Sequence, residues 1–178
     1  DLGGHGLSGG ERAAIDSFEQ YTATTRDFLG IVKRQLPGPL QAVGFSNGAA
    51  ILIEMLRREI ADAFENIVLA APLIRWTAYE QSRGTYKVYK KFTDKIPRFH
   101  RKNSSDKEYL VFNKTQDYLH CRYLSLKWVK ALFDWNKQVE VMAPCGRDLL
   151  VLQGDRDGTV GWRYNLELIR EKFPKATV

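Results

Sequence analysis

The residues Gly44-Phe45-Ser46-Asn47-Gly48 place a hydroxyl inside a G-x-S-x-G pattern. A serine held on a sharp turn can attack a carbonyl if a base removes its proton and a donor meets the developing oxyanion. The N–H of Asn47, at the start of the helix expected to follow, points toward such an oxyanion. Side chains at positions 44 and 48 are expected to collide with nearby backbone, which would explain both glycines. The plainer alternative is a strand-to-helix turn with Ser46 as a capping residue. Context favours the nucleophile, because a buried strand precedes the motif and a helix follows it.

A second candidate is an aspartate of Gly154-Asp155-Arg156-Asp157-Gly158, Asp157 with Asp155 as its competitor. A carboxylate on a strand-end turn can orient an imidazole and stabilise its cation, although Asp-x-Asp-Gly is also good turn chemistry. The three histidines, His5, His100 and His120, all precede Asp157. The order that goes with such a serine turn is serine, acid, histidine, so none of the three fits as the base. No His, Cys, Asp or Glu cluster has metal spacing. The 155–158 turn lacks the closing glutamate of a calcium loop, and no P-loop or dinucleotide fingerprint occurs. Neither a metal nor a cofactor is expected.

These residues need a frame. A helix is expected from about Phe18 to Leu36, with Phe18, Tyr21, Thr25, Phe28, Leu29, Val32 and Leu36 as its apolar stripe. Asp16 or Ser17 caps it and Pro37-Gly38 ends it. Leu40–Phe45, Ile67–Pro72 and Leu149–Leu152 read as buried strands. Helices are expected over Ala49–Arg58 and Trp162–Phe173, and Ala176 opens a further strand. This alternation predicts an α/β fold, a doubly wound and mostly parallel sheet covered on both faces.

Residues 75–146 break the alternation and read as a mostly helical cap insertion without a strong strand signal, dividing a core of 1–74 and 147–178. Residues 75–140 hold fifteen of the 27 Lys and Arg but only seven of the 21 Asp and Glu. The formal charge of +6 therefore resides there, together with thirteen of the 21 aromatic residues. A solvated basic face is one reading. The other is an acyl pocket or interfacial face formed by Trp76, Tyr86, Tyr89, Phe92, Trp128 and Trp135. Lys87, Lys90, Lys91 and Lys95 would then attract anionic headgroups. No nucleic-acid-binding module is visible. Two cysteines, Cys121 and Cys145, favour free thiols, with a single disulfide as the alternative. No apolar run reaches the length of a membrane span, so the expected localisation is cytoplasmic, with peripheral membrane contact as an option.

The chain resembles the α/β-hydrolases, nearest the monoacylglycerol lipase, lysophospholipase and serine aminopeptidase group. Asp1-x-x-Gly4-His5-Gly6-x-Ser8 resembles the glycine-rich loop that follows an early strand, where His5 has a structural role. Gly44–Gly48 resembles the serine turn. Ile67–Pro72 resembles the strand after which the group inserts a cap. Gly154–Val160 resembles the G-x-x-D-x-x-V segment presenting the triad acid. Phe45 and Asn47 replace the usual histidine and methionine of the group's serine turn. The first oxyanion loop and the triad histidine are expected outside residues 1–178, which therefore read as an internal segment. The resemblance implies a serine hydrolase of lipid-like carboxylic esters, such as a lysophospholipid or monoacylglycerol, working through an acyl-serine intermediate. Ser46 is the implied nucleophile, Asp157 the acid and Asn47 N–H one oxyanion donor. A peptidase on the same scaffold and a non-catalytic binding member are the alternatives.

Overall fold

The computed structural model describes residues 1–98 and 104–178. In chain order, α1 (Phe18–Gln35) leads to β1 (Leu40–Phe45), α2 (Asn47–Arg57) and β2 (Phe64–Ala70). The insertion holds α3 (Tyr79–Tyr89), β3 (Lys95–Pro97), α4 (Lys107–Thr115), β4 (Tyr123–Ser125) and α5 (Leu126–Glu140). The chain closes with β5 (Leu149–Leu152), α6 (Trp162–Lys172) and β6 (Ala176–Thr177).

The main sheet is parallel and runs β1-β2-β5-β6. Each new strand is added on the same side of the last. Right-handed crossovers in one unchanging direction place every connection on one face of the sheet. Ala42, Ile67, Leu69, Leu149 and Val151 face that side and join α1, α2, α5 and α6 in a single core. The opposite face carries Val43 beside Val68 and Leu150, and Phe45 beside Ala70 and Leu152. Val43 is 75% exposed and Phe45 71%. The expected α/β fold with a mostly parallel sheet is thus present, and the helices among the described residues pack on the face that carries Ala42, Ile67 and Leu69.

Stacking of Phe18 on Trp135, 4.6 Å between ring centres, ties α1 to α5. The Trp135 Nε1–H donates to Glu54 Oε2 at 3.0 Å, which adds α2. Glu54 is buried and also accepts hydrogen bonds from Arg57 and Arg58. Burial alone raises its pKa. The bonds from Arg57 and Arg58 outweigh that and hold the carboxyl below its ordinary value.

Several expectations need adjustment. Phe28 and Leu36 are exposed, while Leu29, beside Phe28, is the buried residue in the second half of α1. Ser17 occupies the cap position of α1 without a side-chain bond. Tyr123–Ser125, expected to be helical, pairs with Lys95–Pro97 as a small antiparallel sheet; three-residue strands leave no readable alternation. Helix α5 is not confined to the insertion. Leu126, Val129 and Phe133 pack in a second cluster with Tyr79, while Leu132, Trp135 and Val139 belong to the main core. Both cysteines are free. Among the described residues no helix is long and apolar enough to cross a membrane.

Candidate functional site

Ser46 sits between β1 and α2 with φ +52° and ψ −109°, a conformation that costs a non-glycine residue about 1–3 kcal/mol. The surroundings hold it there. Its N–H donates to Ala70 O at 2.9 Å, and its carbonyl accepts from Ala50 N and Leu73 N, each at 3.2 Å. A Cβ on Gly44 would lie 2.7 Å from backbone atoms of Gly48 and Ala49, so glycine is required. Position 48 differs from expectation: a Cβ there meets nothing within 4 Å. The collision argument thus belongs to Gly44 alone. The Ser46 side chain makes no capping hydrogen bond, so the plain capping role does not describe it.

Asn47 is the first residue of α2, and its N–H is among the donors that a helix start leaves without an internal partner. Its side-chain Oδ1 is buried without a hydrogen bond of good geometry, as is the Tyr21 hydroxyl. Burial pushes the Tyr21 phenol up, and the Trp128 and Asn47 side chains pull it part of the way back.

Asp157 follows β5. Its Oδ1 accepts from Thr159 N at 2.7 Å and Val160 N at 3.1 Å, and its Oδ2 faces Gln153 Nε2 at 3.2 Å. Asp155, two residues earlier, is exposed and has no such bonds among the described residues. Ser46 and Asp157 both lie at the carboxyl edge of the sheet, on strands two places apart. Two strand spacings amount to about 10 Å, enough for a further side chain between them. Among the described residues no histidine bonds to Ser46. His5 lies in the first loop, its ring 6.1 Å from that of Tyr21. His120 is in the insertion, with Nδ1 3.3 Å from Asn113 Nδ2. His100 lies outside the described residues.

Ser46 opens onto a cavity of about 830 Å³ between the core and the insertion. Trp76, Tyr86, Tyr89 and Trp128 line it, as the aromatic content of the insertion suggested. Two of the six aromatic candidates do not. Trp135 is 2% exposed in the main core, and Phe92 is 83% exposed on the surface. Arg98, Lys114 and His120 also line the cavity, and among the described residues no Asp or Glu does.

Sequence reasoning missed the residues that fasten the insertion. Asn165, fully buried, donates to Pro72 O and Arg75 O and accepts from Arg75 N. Asn136 Nδ2 donates to Ile74 O at 2.7 Å. The Arg75 guanidinium reaches Glu140 at 2.6 Å and lies 3.8 Å above the Tyr164 ring. Together they hold the segment that runs from the sheet into the insertion, beside Leu73 in the cavity wall. No local pattern announces them, since the partners are 62 and 90 residues apart.

The sequence profile of the family "serine aminopeptidase, S33" matches residues 1–171. The fold is similar to a soluble variant of monoglyceride lipase from Saccharomyces cerevisiae, with a TM-score of 0.78 and 16% identity over 99% of this chain. It is also similar to the monoacylglycerol lipase of Paleococcus ferrophilus (TM-score 0.75, 21% identity, 99% of this chain). An esterase from Exiguobacterium antarcticum matches at TM-score 0.61 and 12% identity, again over 99% of this chain. The chain spans 64% of the yeast lipase, 69% of the Paleococcus enzyme and 69% of the esterase.

Proposed function

Because the chain belongs to the serine aminopeptidase S33 family and has the α/β-hydrolase fold, we propose that it carries the nucleophile, acid and substrate cavity of a serine hydrolase acting on lipid-like carboxylic esters. Lysophospholipids and monoacylglycerols are the substrate types in view. The observation that carries this reading is the strained, uncapped Ser46 opening onto a large aromatic-lined cavity.

In the proposed reaction Ser46 Oγ attacks the ester carbonyl and its proton passes to a histidine supplied from outside the described residues. Asp157 orients that imidazole and stabilises its cation. Asn47 N–H, strengthened by the positive end of α2, donates to the oxyanion. The imidazolium returns the proton to the departing alkoxide, leaving an acyl-serine and a free alcohol. Water, deprotonated by the same imidazole, then releases the carboxylic acid and restores Ser46. A fluorophosphonate probe on the full-length protein tests the nucleophile. Labelling should occur at Ser46 and vanish in Ser46→Ala; labelling at another residue with Ser46→Ala still active would overturn it.

The family's aminopeptidase members make peptide cleavage the second reading. An aminopeptidase needs a carboxylate or similar acceptor to hold a substrate's terminal ammonium. Arg98 and Lys114 in the described lining would repel such an ammonium, which favours the ester. Comparing turnover of an acyl ester with that of an aminoacyl arylamide separates the two. We further propose that the insertion makes a peripheral contact with anionic membranes through Lys87, Lys90, Lys91 and Lys95. All four are exposed, and Val88 and Phe92 are exposed beside them. Neutralising the four should reduce co-sedimentation with anionic vesicles in a salt-dependent way and spare turnover of a small soluble ester.

A further inference from the structure

Arg83, Lys87 and Lys90 recur at intervals of four and three residues, which sets them along one face of α3 and its C-cap. Lys130 and Lys137, seven apart, lie on one face of α5. The two basic rows line opposite sides of one groove of about 230 Å³ on the outside of the insertion. That is room for about seven water molecules. Its floor is aromatic: Tyr79 and Tyr86 pack edge-on against Phe133 at 5.3 and 5.6 Å.

The groove's own counter-charge is insufficient. Among the described residues Asp134 is the single carboxylate in the lining. Its two oxygens are already taken by Lys130 at 2.6 Å and Lys137 at 3.2 Å. Arg83 leans on Glu80 at 3.2 Å. Lys87 and Lys90 have no ion pair among the described residues, and the Lys90 ammonium lies 5.5 Å from the Tyr86 ring centre. Like charges facing each other across a concave, aromatic-floored site repel, and they focus a positive potential into it.

We propose that this groove is a binding site for a phosphate-dense anion, such as a phosphomonoester headgroup. The ammonium groups are hydrated, so one carboxylate would gain little from any of them. A phosphomonoester carries up to two negative charges and three strong acceptor oxygens, and can engage ammoniums from both rows at once. The aromatic floor offers apolar contact to whatever ring or chain bears the phosphate. The site does not depend on the hydrolytic reading. It backs onto the hydrolytic cavity, however, and Tyr86 forms part of the wall of both.

The test is calorimetric titration of the full-length protein with sodium tripolyphosphate, alongside sedimentation with phosphatidylcholine vesicles containing either phosphatidic acid or phosphatidylserine. Saturable one-to-one tripolyphosphate binding is expected, weakened by roughly tenfold or more in Lys87→Glu/Lys90→Glu. A smaller loss is expected in Lys87→Gln/Lys90→Gln, and none in Lys33→Glu/Arg34→Glu, which reverses charge at the far end of α1. Preference for phosphatidic acid vesicles over phosphatidylserine, lost in the same variants, identifies a lipid headgroup as the source. Tripolyphosphate binding without vesicle preference identifies a soluble ligand. Absence of saturable binding, equal binding by Lys87→Glu/Lys90→Glu, or an equal loss in the α1 variant would overturn the site.

Discussion

The turns that carry Ser46 and Asp157 hold their side chains by opposite means. At Ser46 the backbone is strained, and the surrounding main chain fixes it through three hydrogen bonds and the close approach of Gly44. At Asp157 nothing is strained; the carboxylate fastens itself by accepting two N–H groups of its own turn. Ser46 is positioned by what packs around it, and Asp157 by what it binds. The first arrangement leaves the Ser46 hydroxyl without a bond among the described residues. The second occupies Oδ1 with backbone and leaves Oδ2 sharing a side-chain amide, which is the position the proposed imidazole would take.

Replacing each functional group is the strongest test of that contrast. Ser46→Ala in the full-length protein should lower ester turnover by roughly 10⁵-fold or more, measured with a chromogenic acyl ester. Asp157→Asn should lower kcat by about 10⁴-fold through loss of imidazole orientation. Its melting temperature should stay near wild type, because the amide oxygen can still accept the Thr159 and Val160 N–H groups. Asp155→Asn should be nearly silent in the same assay. If Asp155 proves the costlier site, the acid has been misassigned.

Stability measurements sharpen the comparison beneath the serine turn. Glu54→Gln removes from α2, the helix bearing Asn47, the charge that Arg57, Arg58 and, across from α5, Trp135 all address. Urea unfolding should register a loss of roughly 2–4 kcal/mol, moderated because both arginines reach water. The native pKa of Glu54 is depressed below its unfolded value, so its stabilising effect is complete above about pH 4.3. It is lost as the pH falls through the lower native value, and Glu54→Gln should flatten that part of the acid-unfolding profile. Gly44→Ala should cost about 1–3 kcal/mol, toward the upper end because the clashing atoms are backbone. Gly48→Ala, facing open space, should be neutral or stabilise by up to about 1 kcal/mol. Equal effects at the two glycines would refute the asymmetry. Asp157→Ala should show the smallest destabilisation, about 1 kcal/mol, from two turn N–H groups left to water.

These contrasts explain what could be read from the sequence. The serine turn, the strands around it and Asp157 are local features, each fixed by residues a few positions apart; they stand close to where the pattern placed them, β2 beginning at Phe64 and ending at Ala70 rather than running from Ile67 to Pro72. Apolar type alone misled at Phe28, Phe92 and Trp135. It reports that a side chain can be buried, not which surface reaches it. Asn136 and Asn165 were invisible because their partners are carbonyls on a distant segment, and an asparagine looks the same whether it clamps a backbone or faces solvent. The alternation of strands and helices specifies crossovers, whereas the order in which strands join, and so the face each helix covers, is set by pairing between distant segments.

The sheet face on which Val43, Phe45, Leu150 and Leu152 are exposed among the described residues has a thermal consequence. Apolar surface hydrated in both the native and unfolded states adds nothing to the heat capacity of unfolding. Each square ångström that another segment or surface covers adds about 0.45 cal/mol/K. Covering this face narrows the stability curve, so that stability falls away more steeply on either side of its maximum.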